Sequence, residues 1–278
     1  MCLPGTAETV RARVEREGLP QISRRKLLLG GAAAAAVATL PTPALAGRKK
    51  PGNRLQDLTH VFTEGFPVYT FDNPTRRTLV TVEEDGFYSQ EWTFGEHSGT
   101  HMDAPGHFIA DGRRSPEITL QELFAPAVVI DISRRVASDP DAVVTVDDIR
   151  RFEHGRGRIP KGAAVFMYSG WESRVHDQDL YRNTGPDGRY HFPGFGIDAL
   201  EWLLEHRDIK CIGVDTLSLD YGASTTFDVH LTLLGADKYG LENLANLKRI
   251  PARGALVFVG LIPWEEGSGG PCRVAAAW

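Results

Sequence analysis

Three imidazoles and a carboxylate crowd into His97-Ser98-Gly99-Thr100-His101-Met102-Asp103-Ala104-Pro105-Gly106-His107, a stretch of eleven residues. Ring nitrogens and a carboxylate oxygen are ligands that a borderline cation such as zinc or manganese accepts, and close spacing lets one turn deliver several of them without long loop closure. A helix would put His97 and His101 on one face but turn Asp103 away. An extended or looped path keeps the odd-numbered His97, His101, Asp103 and His107 on one side, and Gly99 and Pro105 permit the bends it needs. With His230 added, the set takes four of the nine histidines. The alternative is a surface loop that carries unrelated histidines.

Such a cation would do hydrolytic chemistry. Neutral imidazoles leave its charge largely uncompensated, so the pKa of a coordinated water falls from about 15.7 toward ~7. His107, four positions past Asp103, has an ordinary pKa near about 6.5 and suits proton transfer to a departing nitrogen. Its other reading is a hydrogen-bond partner of a ligand carboxylate, which metal ligands usually need.

The run His97-x-Gly99-Thr100-His101-x-Asp103-x-Pro105-x-His107 resembles the HxGTHxDxPxH signature of the cyclase family of metal-dependent hydrolases, which includes bacterial kynurenine formamidases and isatin hydrolases. A second match follows: His230-Leu231-Thr232-Leu233-Leu234-Gly235 with Glu242-Asn243-Leu244, preceded by Gly213-Val214-Asp215-Thr216-x-Ser218-x-Asp220. The resemblance covers most of the chain after about residue 55. It implies that His97 and His101 bind one metal, that Asp103 lies between two, that His230 binds the second, and that Glu242 bridges or completes the site. Zn2+ or Mn2+, one or two ions per subunit, is the implied cofactor, with a small-molecule substrate, His107 in proton transfer and a homodimer as further implications. Formamidases of this family carry a Trp against the aromatic substrate; Tyr69, in a segment with Phe66 and Phe71, takes that place here. Trp92, Phe108 and Trp171 are further candidates for the pocket, with a core position as the alternative for each. Asp215, Ser218 and Asp220 read as supports of the site or of a turn.

The elements that must position these groups are short. Strands are predicted at 79–82, 87–94, 127–132, 163–168, 210–214, 255–259 and 273–276. Amphipathic helices are predicted over 197–207 and 147–152, the latter with Thr145 or Asp147 as cap. His230 should open a helical turn that Gly235 ends. Strands and helices alternate only in the second half, which gives an α/β class, or mixed α+β, with a mixed sheet. The resemblance sharpens this to a swivelling β/β/α-type single domain whose sheet curls toward a barrel. The polar segment 171–195 reads as a lid, an oligomer contact or a plain surface excursion.

Length and composition fit one catalytic domain over 47–278: 278 residues, 42% hydrophobic and 24% charged, can bury a full core. The net charge is −5; residues 1–46 hold six Lys/Arg and three Asp/Glu, leaving 25 basic and 33 acidic residues, or −8. That surface repels phosphate backbones, so a nucleic-acid partner is excluded. Residues 1–46 read as a cleavable export signal: a basic region with Arg24, Arg25 and Lys26, an Ala-rich apolar run over 27–40, and Ala44-Leu45-Ala46 as cleavage site. Ser23-Arg24-Arg25-Lys26-Leu27-Leu28 resembles a twin-arginine signal, with Leu27 in place of the usual Phe. The fourteen-residue apolar run is short of the ~20 needed for a span, so no membrane anchor is expected after cleavage and the mature chain should be periplasmic or extracellular. Cys211 and Cys272 read as buried thiols, with a disulfide as the alternative.

Three functions compete. The leading one is a secreted hydrolase that cleaves a cyclic or N-formyl amide of an aromatic compound. A lactone hydrolase or a cyclase/dehydratase could use the same site. A non-catalytic metal- or metabolite-binding protein is the third, and it has no use for an extra titrating His107.

Overall fold

In a computed structural model of the chain, the residues described are 54–278 apart from 70–71 and 83–86, together with 12–13 and 16–17. The export-signal expectation for 1–46 and Phe71 therefore fall outside the described residues, those four apart.

The chain runs β1 (Leu55–Asp57), β2 (Thr75–Val80), β3 (Ser89–Thr93), β4 (His101–Asp103), β5 (Phe124–Asp131), α1 (Ser133–Val136), β6 (Val143–Val144), α2 (Val146–Arg156) and β7 (Ala163–Tyr168). It continues through α3 (Gln178–Arg182), β8 (Gly194–Phe195), α4 (Ile197–His206), β9 (Ile209–Val214), α5 (Asp228–Gly235), β10 (Tyr239–Glu242), β11 (Arg253–Leu261) and β12 (Gly269–Ala277). The main sheet runs β1-β12-β11-β5-β7-β9-β10-β4, and β4 pairs again with β12, so seven strands close on themselves. β5, β7, β9 and β10 are parallel neighbours, whereas β4, β11 and β12 pair antiparallel. The mixed, curled sheet expected above is thus a closed barrel, which leaves few free edges.

Alternation along the strands separates two cores. Ala125, Ala127 and Val129 of β5, Ala164 and Phe166 of β7, Met102 of β4, Leu241 of β10, Val257 of β11 and Val274 of β12 fill the barrel interior. Their neighbours Val128, Ile130, Val165, Met167, Ile212 and Val214 face outward and pack against Ile149 and Phe152 of α2, Leu200 and Leu203 of α4, and Leu233 and Leu234 of α5. The parallel strands are buried on both faces, which is why β7 reads as the unbroken apolar run Ala-Ala-Val-Phe-Met-Tyr. The α2 cap is Thr145, whose side chain accepts from Asp148 N while Asp148 reaches back to Thr145 N.

Several boundaries differ from the sequence expectation. The strand predicted at 79–82 runs Thr75–Val80 because it pairs across a hairpin with β3, and 147–152 lengthens to the full α2. β1, β6, β8 and β10 carry no local signal; each is two to four residues long and exists through its partners. Cys211 and Cys272 are both free and buried, and burial pushes the Cys211 thiol up to about 12. Among the described residues no helix is long and apolar enough to cross a membrane.

Candidate metal centre

Strand β4 carries the first half of the site. Met102 points into the barrel, so pleating turns His101 and Asp103 to the opposite, outer side. On β10, Leu241 points inward and Glu242 outward, and the register sets Glu242 directly across from His101. The other neighbour of β4 is β12, which puts Gly269 opposite Asp103. A Cβ at Gly269 would collide with the Met102 carbonyl and lie 2.8 Å from His97 Cε1. A side chain there would close the space that His97 uses to reach Asp103. Ahead of β4 the chain turns at Gly99, whose φ is +69° and whose missing Cβ leaves room for the Phe62 ring, 2.5 Å from where that atom would sit.

The imidazoles of His101, His230 and His97 are each aimed by a hydrogen bond on the far nitrogen. His101 Nδ1 donates to the Gly99 carbonyl at 3.0 Å, leaving Nε2 at 3.4 Å from both Asp103 Oδ1 and Glu242 Oε2. His230, in the first turn of α5, has Nδ1 at 2.6 Å from Asp220 Oδ2, and its Nε2 lies 3.1 Å from Glu242 Oε1 and 3.5 Å from Asp103 Oδ2. Asp220 also accepts from the backbone N–H of Val229 and His230, so one carboxylate fixes both the helix start and the ring. His97 Nδ1 lies 2.6 Å from Asp103 Oδ1 and its Nε2 2.8 Å from Ser268 Oγ, while Ser268 donates to Glu96. His107 ends a short turn over Pro105–His107 and stacks on His97, with centroids 3.7 Å apart.

The donor set fits a divalent cation. His101, Asp103 and Glu242 offer ligand atoms within one ion's reach, and so do His97, Asp103 and His107. Asp103 belongs to both groups. Its Oδ2 is fully buried with no hydrogen-bond partner, a costly state that a coordinated ion would relieve. This grouping pairs His97 with His107 and His101 with Glu242, whereas the sequence resemblance pairs His97 with His101.

The electrostatics tell the same story in protons. Burial opposes charge on His97, but Asp103 and Glu96 hold it up to about 9. Burial likewise opposes charge on His101 and His230, yet the surrounding carboxylates raise both. Burial opposes charge on Asp103, but the imidazoles of His101, His230 and His97 around it hold it well below the ordinary carboxylate range. Glu242 goes the other way: burial and the Asp103 charge raise it. His107 is pushed down to about 3 by burial and by the charge of His97, so its ring is neutral at physiological pH.

The aromatic candidates divide. Phe108 tilts against His230 with centroids 4.8 Å apart, Phe227 lies 5.7 Å from His230, and Tyr69 meets Phe227 edge-on at 5.8 Å. Tyr69 thus belongs to the aromatic wall one ring behind the imidazoles. Phe66 is 2% exposed and packed in the helix-side core, so the structure moves it out of the pocket. Trp92 sits on the β2–β3 hairpin against Phe62 and beneath Arg76. Trp171 is a core residue, its Nε1 donating to the Tyr181 carbonyl. Sequence reading did not single out Glu96, Ser268 or Phe227, and it named Asn243 only within the motif that holds Glu242; Ser268 and Asn243 reach the metal loop from far along the chain.

The family model Cyclase, described as "Putative cyclase", matches residues 56–221. The chain is similar to an isatin hydrolase of Roseibium aggregatum, 37% identical over 204 residues that cover 70% of this chain and 77% of that protein. It is similar to a kynurenine formamidase of Erythrobacter litoralis, 26% identical over 81% of this chain and 94% of the relative. Among solved structures, isatin hydrolase A from Ralstonia solanacearum superposes with a TM-score of 0.77 at 34% identity, covering 81% of this chain and 91% of that one. An isatin hydrolase bound to the product analogue thioisatinate gives 0.77 at 31% identity, covering 81% and 92%.

Proposed function

The chain belongs to the cyclase family of metal-dependent hydrolases, and from that premise we propose that it hydrolyses the C–N bond of an amide in an aromatic compound, with a cyclic amide of the isatin type preferred. The observation that carries the reading is the convergence of His101 Nε2, His230 Nε2 and Glu242 on Asp103, whose Oδ2 is buried and unpartnered. A divalent ion held by His97, His101, Asp103, His230 and Glu242, zinc or manganese and one or two per subunit, would acidify water and polarise the amide carbonyl. The protein's own groups do the rest. Asp220, the Gly99 carbonyl and Ser268 hold the ligand rings in direction. His107, neutral and beside this set, takes a proton from the attacking water and returns it to the departing amide nitrogen. Phe108, Phe227 and Tyr69 line one apolar side of the imidazoles and suit a flat aromatic ring.

Two features favour the cyclic amide over N-formylkynurenine. The relative named isatin hydrolase is more similar over its matched length than the kynurenine formamidase, and Tyr69 stands where formamidases carry Trp. The purified protein loaded with Mn2+ or Zn2+ should open isatin faster than it cleaves N-formyl aromatic amines or aromatic lactones, each followed by ultraviolet absorbance. Turnover of lactones alone would replace the amidohydrolase reading with its ester counterpart.

Residues 1–46 are proposed to direct export and then leave. Supporting this are Arg24-Arg25 and Ala44-Leu45-Ala46 flanking the apolar run. With Arg24→Lys and Arg25→Lys together, the precursor should remain in the cytoplasm at full length on immunoblots of cell fractions. Unchanged export of that double variant would rule out the twin-arginine route.

A further inference from the structure

The Gly99 carbonyl accepts two hydrogen bonds, from His101 Nδ1 at 3.0 Å and from Asn243 Nδ2 at 2.8 Å. Asn243 itself is pinned on every side. Its N–H donates to the Thr216 carbonyl at 2.9 Å, its carbonyl accepts from Thr100 Oγ1 at 2.6 Å, and its Oδ1 accepts from the Tyr181 hydroxyl at 2.9 Å. The residue is buried, with a φ of +53° that asparagine tolerates better than most side chains. A flipped amide would set Oδ1 against the Gly99 oxygen, two acceptors face to face, so the network admits one orientation.

We propose that Asn243, oriented by Tyr181, is a positioning residue: it anchors the Gly99 carbonyl that fixes the tautomer and direction of His101, and thereby sets how tightly the site grips its cation. The inference rests on the reading of His101 as a metal ligand. With Nδ1 carrying its proton toward Gly99, the Nε2 lone pair is the one presented to Asp103 and Glu242. Gly99 has a left-handed backbone at a bend, so its peptide can turn unless something holds the carbonyl. Asn243 holds it. Tyr181 comes from α3, inside the polar excursion over 171–195; that segment sends a fully buried tyrosine beneath the metal loop.

Asn243→Asp replaces the Nδ2 donor with an oxygen of the same size, and Tyr181→Phe removes only the hydroxyl. By titration calorimetry, the Mn2+ Kd should rise about 10–100-fold for Asn243→Asp, the usual cost of losing a partner behind a metal ligand, and by a smaller factor for Tyr181→Phe. The visible absorption bands of the Co2+-loaded variants should shift as His101 turns. Leu203→Ala, in the helix layer, serves as the control: it should lower Tm while leaving the Mn2+ Kd unchanged. Wild-type Mn2+ affinity and Co2+ bands in both site variants overturn the proposal. So does a Kd for Leu203→Ala that weakens in step with its Tm. If Asn243→Asp fails to fold, Tyr181→Phe decides alone by the same readings. Mn2+ binding at wild-type affinity by His101→Ala would remove the ligand reading and this proposal with it; loss there beside unchanged Asn243→Asp removes only the proposal.

Discussion

Asp103→Ala is expected to purify without its metal and without amidohydrolase activity. The carboxylate faces His97 Nδ1 at 2.6 Å, His101 Nε2 at 3.4 Å and His230 Nε2 at 3.5 Å, and it belongs to both groups of donors that one ion could join. Removing it takes the negative charge from the middle of three imidazoles, so the loss of affinity should exceed the roughly 10–100-fold that a supporting partner costs. Asp103→Asn, which keeps the volume and one oxygen, should retain the fold and fall in between. Elemental analysis after dialysis and Mn2+ titration measure the effect. Full metal content in both Asp103→Ala and His101→Ala would sink the ligand assignment.

The same carboxylate fixes how binding depends on pH. His97, held up to about 9, carries a proton at pH 7, and His101 and His230 are raised as well. An incoming cation must displace those protons, so uptake releases protons and its affinity strengthens as pH rises toward 9. In the metal-free protein the sign reverses. The stabilisation from the charged His97–Asp103 pair is complete below the ordinary imidazole pKa and is lost as pH rises through about 9.

How much of this was legible in the sequence depends on the range over which each contact acts. His101 and Asp103 could be assigned to one face because strand alternation is a local property, and β4 obeys it. The buried strand β7 announced itself by its unbroken apolar run, and α4 by its spaced Ala199, Leu200 and Leu203. The strand β10 did not: Tyr-Gly-Leu-Glu is four residues whose identity as a strand depends on pairing with β9 and β4. Register across that pairing is what brings Glu242 to His101, and no local pattern encodes it. Ser268 was invisible, and Asn243 had no role beyond its place in the motif with Glu242, for the same reason. They reach the metal loop from 171 and 144 residues away. Phe66 was misplaced because an aromatic residue near a site and one in the core look alike until packing separates them.

His107→Ala should keep the metal and lose rate. General acid–base catalysis is typically worth ~10²–10⁴-fold, or roughly 3–5.5 kcal/mol of barrier, and the loss should fall on kcat more than on KM. In the metal-free protein, burial and the His97 charge push the ring down to about 3, so it is unprotonated there at neutral pH. Its contacts also permit another role. His107 lies flat on His97, and one of its ring nitrogens falls within reach of the ion that His97 and Asp103 could share. Three measurements on one variant separate these. A metal content unchanged from wild type, with turnover down by about two orders of magnitude or more and a flattened acidic limb of the pH–rate profile, is the signature of a proton carrier. Loss of metal would make His107 a ligand. Near wild-type turnover would reduce it to a packing partner that holds the His97 ring against Asp103, leaving proton transfer to another group at the site, of which Glu242, raised by burial and by the Asp103 charge, is the carboxylate best placed to take it.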